Sequence, residues 1–176
     1  MQVVFIHGPA ASGKHTIGTR VAQTLGIPLF HNHLAVDAAL ALFDFGSPGF
    51  RAVRAAIWRA AFAEAAAAGR SFVFTFHPEA SVDPALIEEL AASVRARGGE
   101  VAFVELLCSP EAIAERLDQP SRHRFNKLTD RAVYEAIERA GGFAFPPLPA
   151  LLRVDTQAHT PEESAALIAA AVREAR

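Results

Sequence analysis

Along the chain, short and wholly apolar runs alternate with stretches whose apolar positions recur at helical spacing. Val3 to His7 opens with a run of strand length, and Lys14 to Leu25 follows with a helical pattern stopped by Gly26. Pro28 to His31 reads as a second short strand, with a helix from about Leu34. Phe50 to Ala68 is a long alanine-rich helix ended by Gly69, and Ser71 to Phe76 is a third strand. Asp83-Pro84 pairs an N-cap with a first-turn proline and starts a helix that closes near Gly98-Gly99. Val101 to Leu107 is a fourth strand, Ser109-Pro110 caps the next helix, and Leu151 to Val154 is a fifth strand. Thr160-Pro161-Glu162-Glu163 carries a capping box for the last helix.

Strands separated by helices predict right-handed βαβ units, hence an α/β fold with a parallel sheet covered on both faces. No repeat, low-complexity tract or linker divides residues 1–176, so a single domain is expected. Ligands in such sheets sit beyond the carboxyl ends of the strands. That rule makes His7, His31 to His33, His77 to Glu79, Cys108 and Asp155 the positions to watch.

Composition narrows the setting. With 51% apolar residues in 176, the chain can bury a core without staples. A net charge of -2 leaves no electrostatic footprint for nucleic acid. The longest apolar stretch, near residues 55–69, is broken by Arg59 and Glu64, so no membrane span is expected. Cys108 is the lone cysteine, and no secretory pattern follows Met1-Gln2, which together predict a cytoplasmic protein. Lysine occurs only at Lys14 and Lys127 in a chain that otherwise uses arginine. A lysine kept against that bias suits a site that needs a compact ammonium.

The chemistry is concentrated in Gly8-Pro9-Ala10-Ala11-Ser12-Gly13-Lys14-His15-Thr16, set between the first strand and the first helix. That is the context of a phosphate-binding loop. Its glycines let backbone N–H groups converge on phosphate oxygens, and the helix N-terminus adds partial positive charge. Gly8, Ala11, Ser12, Gly13, Lys14, His15 and Thr16 are therefore the expected nucleotide contacts, with Lys14 on the β- and γ-phosphates of ATP. The usual hydroxyl after the lysine, a Mg²⁺ ligand, is replaced by His15, and Thr16 comes one position later.

With this loop and the five strand-like runs, the chain resembles the small P-loop kinases, a group that includes adenylate, shikimate and gluconate kinases and chloramphenicol phosphotransferase. The resemblance implies a three-layer P-loop NTPase fold, a five-stranded sheet in the order 2-3-1-4-5, and a mobile lid. The threonine one position late resembles adenylate kinases, where a glycine follows the lysine and a threonine comes next, which implies Mg²⁺ held largely through phosphates and water. The segment Leu29-Phe30-His31-Asn32-His33-Leu34 resembles a bacterial subgroup described as shikimate-kinase-like. The run from Cys108-Ser109-Pro110-Glu111 to Glu115-Arg116-Leu117 is similar to the step before the lid, which places the lid at residues 118–129. Arg116, Arg122, Arg124 and Lys127 cluster there; guanidinium groups on a closing lid stabilise the transferring phosphoryl group. Val154-Asp155-Thr156 resembles the segment beside the adenine.

The acceptor side, about residues 31–60, departs from shikimate kinases, which carry Asp-x-Asp at the end of the second strand. His31-Asn32-His33 stands there, with Asp37 a helical turn beyond His33, and Thr75 occupies the third strand where an acid is expected. Asp37 is the candidate general base or acceptor contact, or else a carboxylate on a helix surface. His7, His31, His33 and His77 are candidates for polar acceptor contacts, for a metal, or for core hydrogen bonding; no resident metal site is predicted. Arg51 and Arg54, three residues apart, are candidates for holding an acceptor phosphate or for an exposed helix face. The expected function is transfer of the γ-phosphate of ATP to a small-molecule hydroxyl or phosphate acceptor. A nucleoside monophosphate kinase and a nucleotide-gated binding protein are the alternatives, and the acceptor and oligomeric state stay open.

Overall fold

The structure is a computed structural model that describes residues 1–117 and 131–175. Strand β1 (Gln2–His7) is buried along its length, as its unbroken apolar run requires of a central parallel strand. It pairs in parallel with β3 (Phe72–Phe76) on one side and β4 (Glu100–Leu107) on the other. β2 (Leu29–His31) extends the sheet beyond β3, and β5 (Leu152–Asp155) extends it beyond β4. The five-stranded sheet has the order β2-β3-β1-β4-β5, in agreement with the expected 2-3-1-4-5.

Helices α1 (Lys14–Leu25), α2 (His33–Leu40), α3 (Pro48–Ala67), α4 (Pro84–Arg95), α5 (Pro110–Leu117), α6 (Arg131–Arg139) and α7 (Pro161–Glu174) surround it. The punctuation works as the residues dictate. Gly26 takes a left-handed conformation that closes α1. Asp83 and Ser47 cap α4 and α3 through their side chains, and Thr160 with Glu163 forms the capping box of α7.

Alternation along the strands divides the core. Val3, Phe5, Phe72, Phe74, Phe76 and Phe103 face α3 and α4, where Trp58 and Phe62 complete an aromatic layer. Val4, Ile6, Val73, Val104 and Leu106 face the other side and pack with Ile17 and Val21 of α1 and Ile168 and Val172 of α7. His7 belongs to the first face by period, with its ring 6.5 Å from both Phe5 and Phe103. None of the described helices is long and apolar enough to cross a membrane.

Candidate functional site

The loop after β1 has the backbone of an anion cradle. Gly8 (φ 152°), Ala11 (φ 58°) and Gly13 (φ 87°) have positive φ. Gly8 is irreplaceable for a second reason: a Cβ there would stand 2.5 Å from the carbonyl oxygen of Leu106 on β4. Ala11 pays a penalty of about 1 kcal/mol for an L-residue in this region. Its methyl group, with that of Ala10, packs on the small cluster of Ile113, Leu117 and Tyr134, which holds the loop down. Gly13 is the N-cap of α1 and has no side chain to cap it, so the helix terminus is kept for an anion.

Lys14 lies over the loop. Its ammonium donates to the carbonyl of Gly8 at 2.8 Å, to the carbonyl of Pro9, and to Oγ of the buried Ser12 at 3.3 Å. Its hydrogen-bonding capacity is thus held at the mouth of the cradle. Thr16 is exposed on the first turn of α1, and the ring of His15 makes an edge contact with His31 at 4.9 Å. His31 in turn lies 6.4 Å from His33, and Nδ1 of His33 is 3.9 Å from Asp37, whose side chain is about half exposed. The order of groups running away from the loop is therefore His15, His31, His33, Asp37. Among the described residues, no cluster of three His, Cys, Asp or Glu is arranged to hold a metal.

Thr75 has a structural reason for replacing an acid. It is buried, its hydroxyl accepts from the N–H of Asn32 at 3.4 Å, and its methyl faces Gly18 of α1. A Cβ on Gly18 would come within 3.0 Å of that methyl, so α1 sits tightly on β3.

Arg51 and Arg54 separate. Arg51 is exposed and donates to the carbonyl of Gly46 at 2.8 Å. Arg54 is buried, and its guanidinium donates to Glu79 at 2.5 Å, to Ser81 Oγ at 3.1 Å and to the Ser81 carbonyl at 2.9 Å. It lies between Phe50 and Trp58, 5.0 and 5.1 Å from their ring centroids. Burial pulls its pKa down and Glu79 pulls it back. The group thus ties α3 to the β3–α4 connection, a role the sequence hints at: Phe50, Arg54, Trp58, Phe62 and Ala66 form one buried row of α3.

Arg116, from α5, reaches the loop after β5. It donates to Thr156 Oγ1 at 3.0 Å and to the Thr156 carbonyl at 2.8 Å, with Cys108 Sγ at 3.4 Å. Thr156 is anchored by its own hydroxyl to the Leu107 carbonyl at 3.0 Å. Arg122, Arg124 and Lys127 lie outside the described residues.

A cavity of about 380 Å³ opens beside the first residues of the loop. His7, Gly8 and Pro9 line one side, and His77, Pro78 and Glu105 another. Tyr134 and Glu138 of α6 and Phe143, Phe145 and Leu148 of the connection to β5 also line it. His77 links cavity to loop, because its Nδ1 is 3.3 Å from the Gly8 carbonyl that also receives Lys14. At the floor, His7 is 3% exposed and its Nε2 has no hydrogen-bond partner. Burial lowers its pKa, against the raising effect of Glu105 and the Pro149 carbonyl, which favours the neutral ring. Sequence reading missed α6 and residues 143–148. Phe143 contacts His77 and Tyr134 edge-on or tilted at 5.0 and 4.9 Å, and Phe145 contacts Phe76 at 5.5 Å.

No family profile matches the chain, and no curated protein matches it in sequence. Its fold is that of small-molecule kinases. A sugar kinase from Janibacter sp. is 19% identical with a TM-score of 0.66, covering 99% of this chain and 97% of that one. A gluconokinase from Sinorhizobium meliloti is 18% identical with a TM-score of 0.65, covering 99% and 93%. The APS kinase of Mycobacterium tuberculosis, in complex with AMPPNP and APS, is 19% identical with a TM-score of 0.62, covering 98% and 97%.

Proposed function

We propose that this domain is an ATP-dependent kinase that moves the γ-phosphoryl group of ATP to a hydroxyl of a small molecule. The observation that carries the reading is the Lys14 ammonium held on the Gly8 carbonyl, at the uncapped N-terminus of α1. Such a terminus binds anions through its N–H groups, and an ammonium above it adds a mobile charge. On nucleotide binding, Lys14 exchanges its loop carbonyls for β- and γ-phosphate oxygens. Arg116 and Thr156, joined at 3.0 Å, form the wall assigned to the base. Arg122 and Arg124 are assigned to the charge that spreads over the γ-phosphoryl oxygens during transfer.

Magnesium, when bound, neutralises phosphate charge. The described residues offer it no acid cluster, and Thr75 is engaged with Asn32. The donor set therefore fits a metal held through phosphates and water, with Thr16 as the hydroxyl on the first turn. His77 is assigned to orienting the acceptor hydroxyl, since it shares the Gly8 carbonyl with Lys14. His31 and His33 remain assigned to polar contacts on the β2 side. An acceptor phosphate is disfavoured: Arg54 is already bound to Glu79 and Ser81, and Arg51 to Gly46. The fold neighbours, named as kinases of small molecules, support the class.

ADP release from ATP, measured against a panel of hydroxyl compounds with and without Mg²⁺, tests the reading. Acceptor-dependent release that vanishes without Mg²⁺ and in Lys14→Ala supports it. ATP binding with no release for any acceptor would make the domain a nucleotide-gated binding protein instead.

A further inference from the structure

Transferring kinases select acceptors by what lies beyond the γ-phosphate, and here that space has an unusual composition. The cavity beside Gly8 and Pro9 has no lysine or arginine among its described lining residues. Its ionisable carboxyl groups are Glu105 and Glu138. Glu105 is paired with Arg153 at 2.8 Å, on the neighbouring strand, whereas Glu138 lies on an exposed turn of α6. His7 contributes a buried imidazole ring to the lining. The remaining wall is apolar, with Ile113, Tyr134, Phe143, Phe145 and Leu148 around five prolines. A carboxylate or phosphate seated among Glu138, Phe143 and Phe145, away from the Gly8 edge, would lose its hydration and meet a like charge with no cation among the described lining residues to receive it. An apolar body gains from the same walls. The cavity is of small-molecule size.

We propose that the acceptor is an alcohol with an apolar, ring-sized body and no anionic group, uncharged or amine-bearing, held against Phe143, Phe145 and Glu138. The inference rests on the kinase reading for the role of the site. The hydroxyl meets the γ-phosphate at the Gly8 edge, where His77 and Lys14 converge on one carbonyl. The body lies in the cavity against α6 and residues 143–148. Transfer is a simple exchange of bonds. The hydroxyl oxygen forms a bond to the γ-phosphorus, the bond to the β–γ bridging oxygen breaks, ADP leaves with that electron pair, and the hydroxyl proton is released to solvent.

A matched set of probes tests this: 1-phenyl-1,2-ethanediol, 2-amino-1-phenylethanol and mandelate share a ring and a benzylic hydroxyl but are neutral, cationic and anionic. Binding of each to the full chain with Mg²⁺ and ADP, followed by ligand-observed NMR, ranks them without requiring turnover. The diol and the amino alcohol are expected to bind at least about tenfold tighter than mandelate, the effect of a single unfavourable charge contact. Glu138→Arg should reverse the order of amino alcohol and mandelate, and Phe143→Ala should weaken all three. Mandelate binding as well as the others, no binding by either non-anionic probe, or a ranking unchanged in Glu138→Arg each overturns the proposal. The failure of the kinase reading looks different: ADP itself would not bind the parent protein.

Discussion

Replacing Arg54 by alanine separates two roles that the sequence leaves equal, acceptor ligand and structural tie. The guanidinium is 2% exposed, donates to Glu79 and twice to Ser81, and is sandwiched by Phe50 and Trp58. Removing one partner of a buried ion pair costs about 3–5 kcal/mol. Glu79 is 14% exposed and regains some hydration, which places the expected loss near the lower end, about 3 kcal/mol. In a domain of this size that corresponds to a fall in Tm of roughly 6–12 °C. Urea unfolding of Arg54→Ala, Glu79→Gln and the double variant measures it. The double variant should be less destabilised than the sum of the singles, because the two groups act as a pair. A loss below about 1 kcal/mol with a raised acceptor KM would refute the structural role and return Arg54 to the acceptor.

Gly8→Ala should destabilise by about 1–3 kcal/mol and weaken nucleotide binding, since its Cβ would meet the Leu106 carbonyl at 2.5 Å; parent-like melting and ADP affinity would contradict the close approach. The folded-state pKa of His7 is lowered from 6.5 by burial, so the unfolded chain binds more protons there and stability falls as pH drops below 6.5. His7→Gln should therefore lose less Tm than the parent between pH 7.5 and 5.5, and an equal loss would show that the imidazole is not held neutral. Asp37 is about half exposed, with its carboxylate 3.9 Å from His33 Nδ1, so Asp37→Asn should lower kcat by less than about tenfold. A fall of about 10²-fold in single-turnover transfer would instead make Asp37 the base.

What the sequence made legible was local. The phosphate loop is contiguous, and its glycines and lysine announce themselves by spacing. The end of α1 at Gly26 follows from a left-handed backbone that glycine adopts freely, and the helix starts at Asp83-Pro84 and Thr160 follow from side chains accepting from nearby backbone N–H groups. The strand order came from the family resemblance, because alternation along a strand says nothing about its neighbours. Arg54 was ambiguous because a charge at helical spacing suits either face; its place midway between Phe50 and Trp58 was the signal that it lies inside. The cavity wall was the least visible part. Tyr134 is the sole buried residue of α6, and residues 143–148 have no period. Their positions depend on aromatic contacts with Phe76 and His77, which are remote in sequence.

Calorimetric titration of Mg²⁺-ATP into the parent and Lys14→Ala decides whether the loop is a nucleotide site. The ammonium donates within the loop, to Gly8, Pro9 and Ser12, so the variant should keep its fold and thermal stability. Charge-assisted bonds of this kind are worth about 1.5–3 kcal/mol, which predicts a Kd raised by roughly 10- to 100-fold. Equal affinity for the two proteins, or no binding by the parent, would contradict the assignment of this loop to ATP.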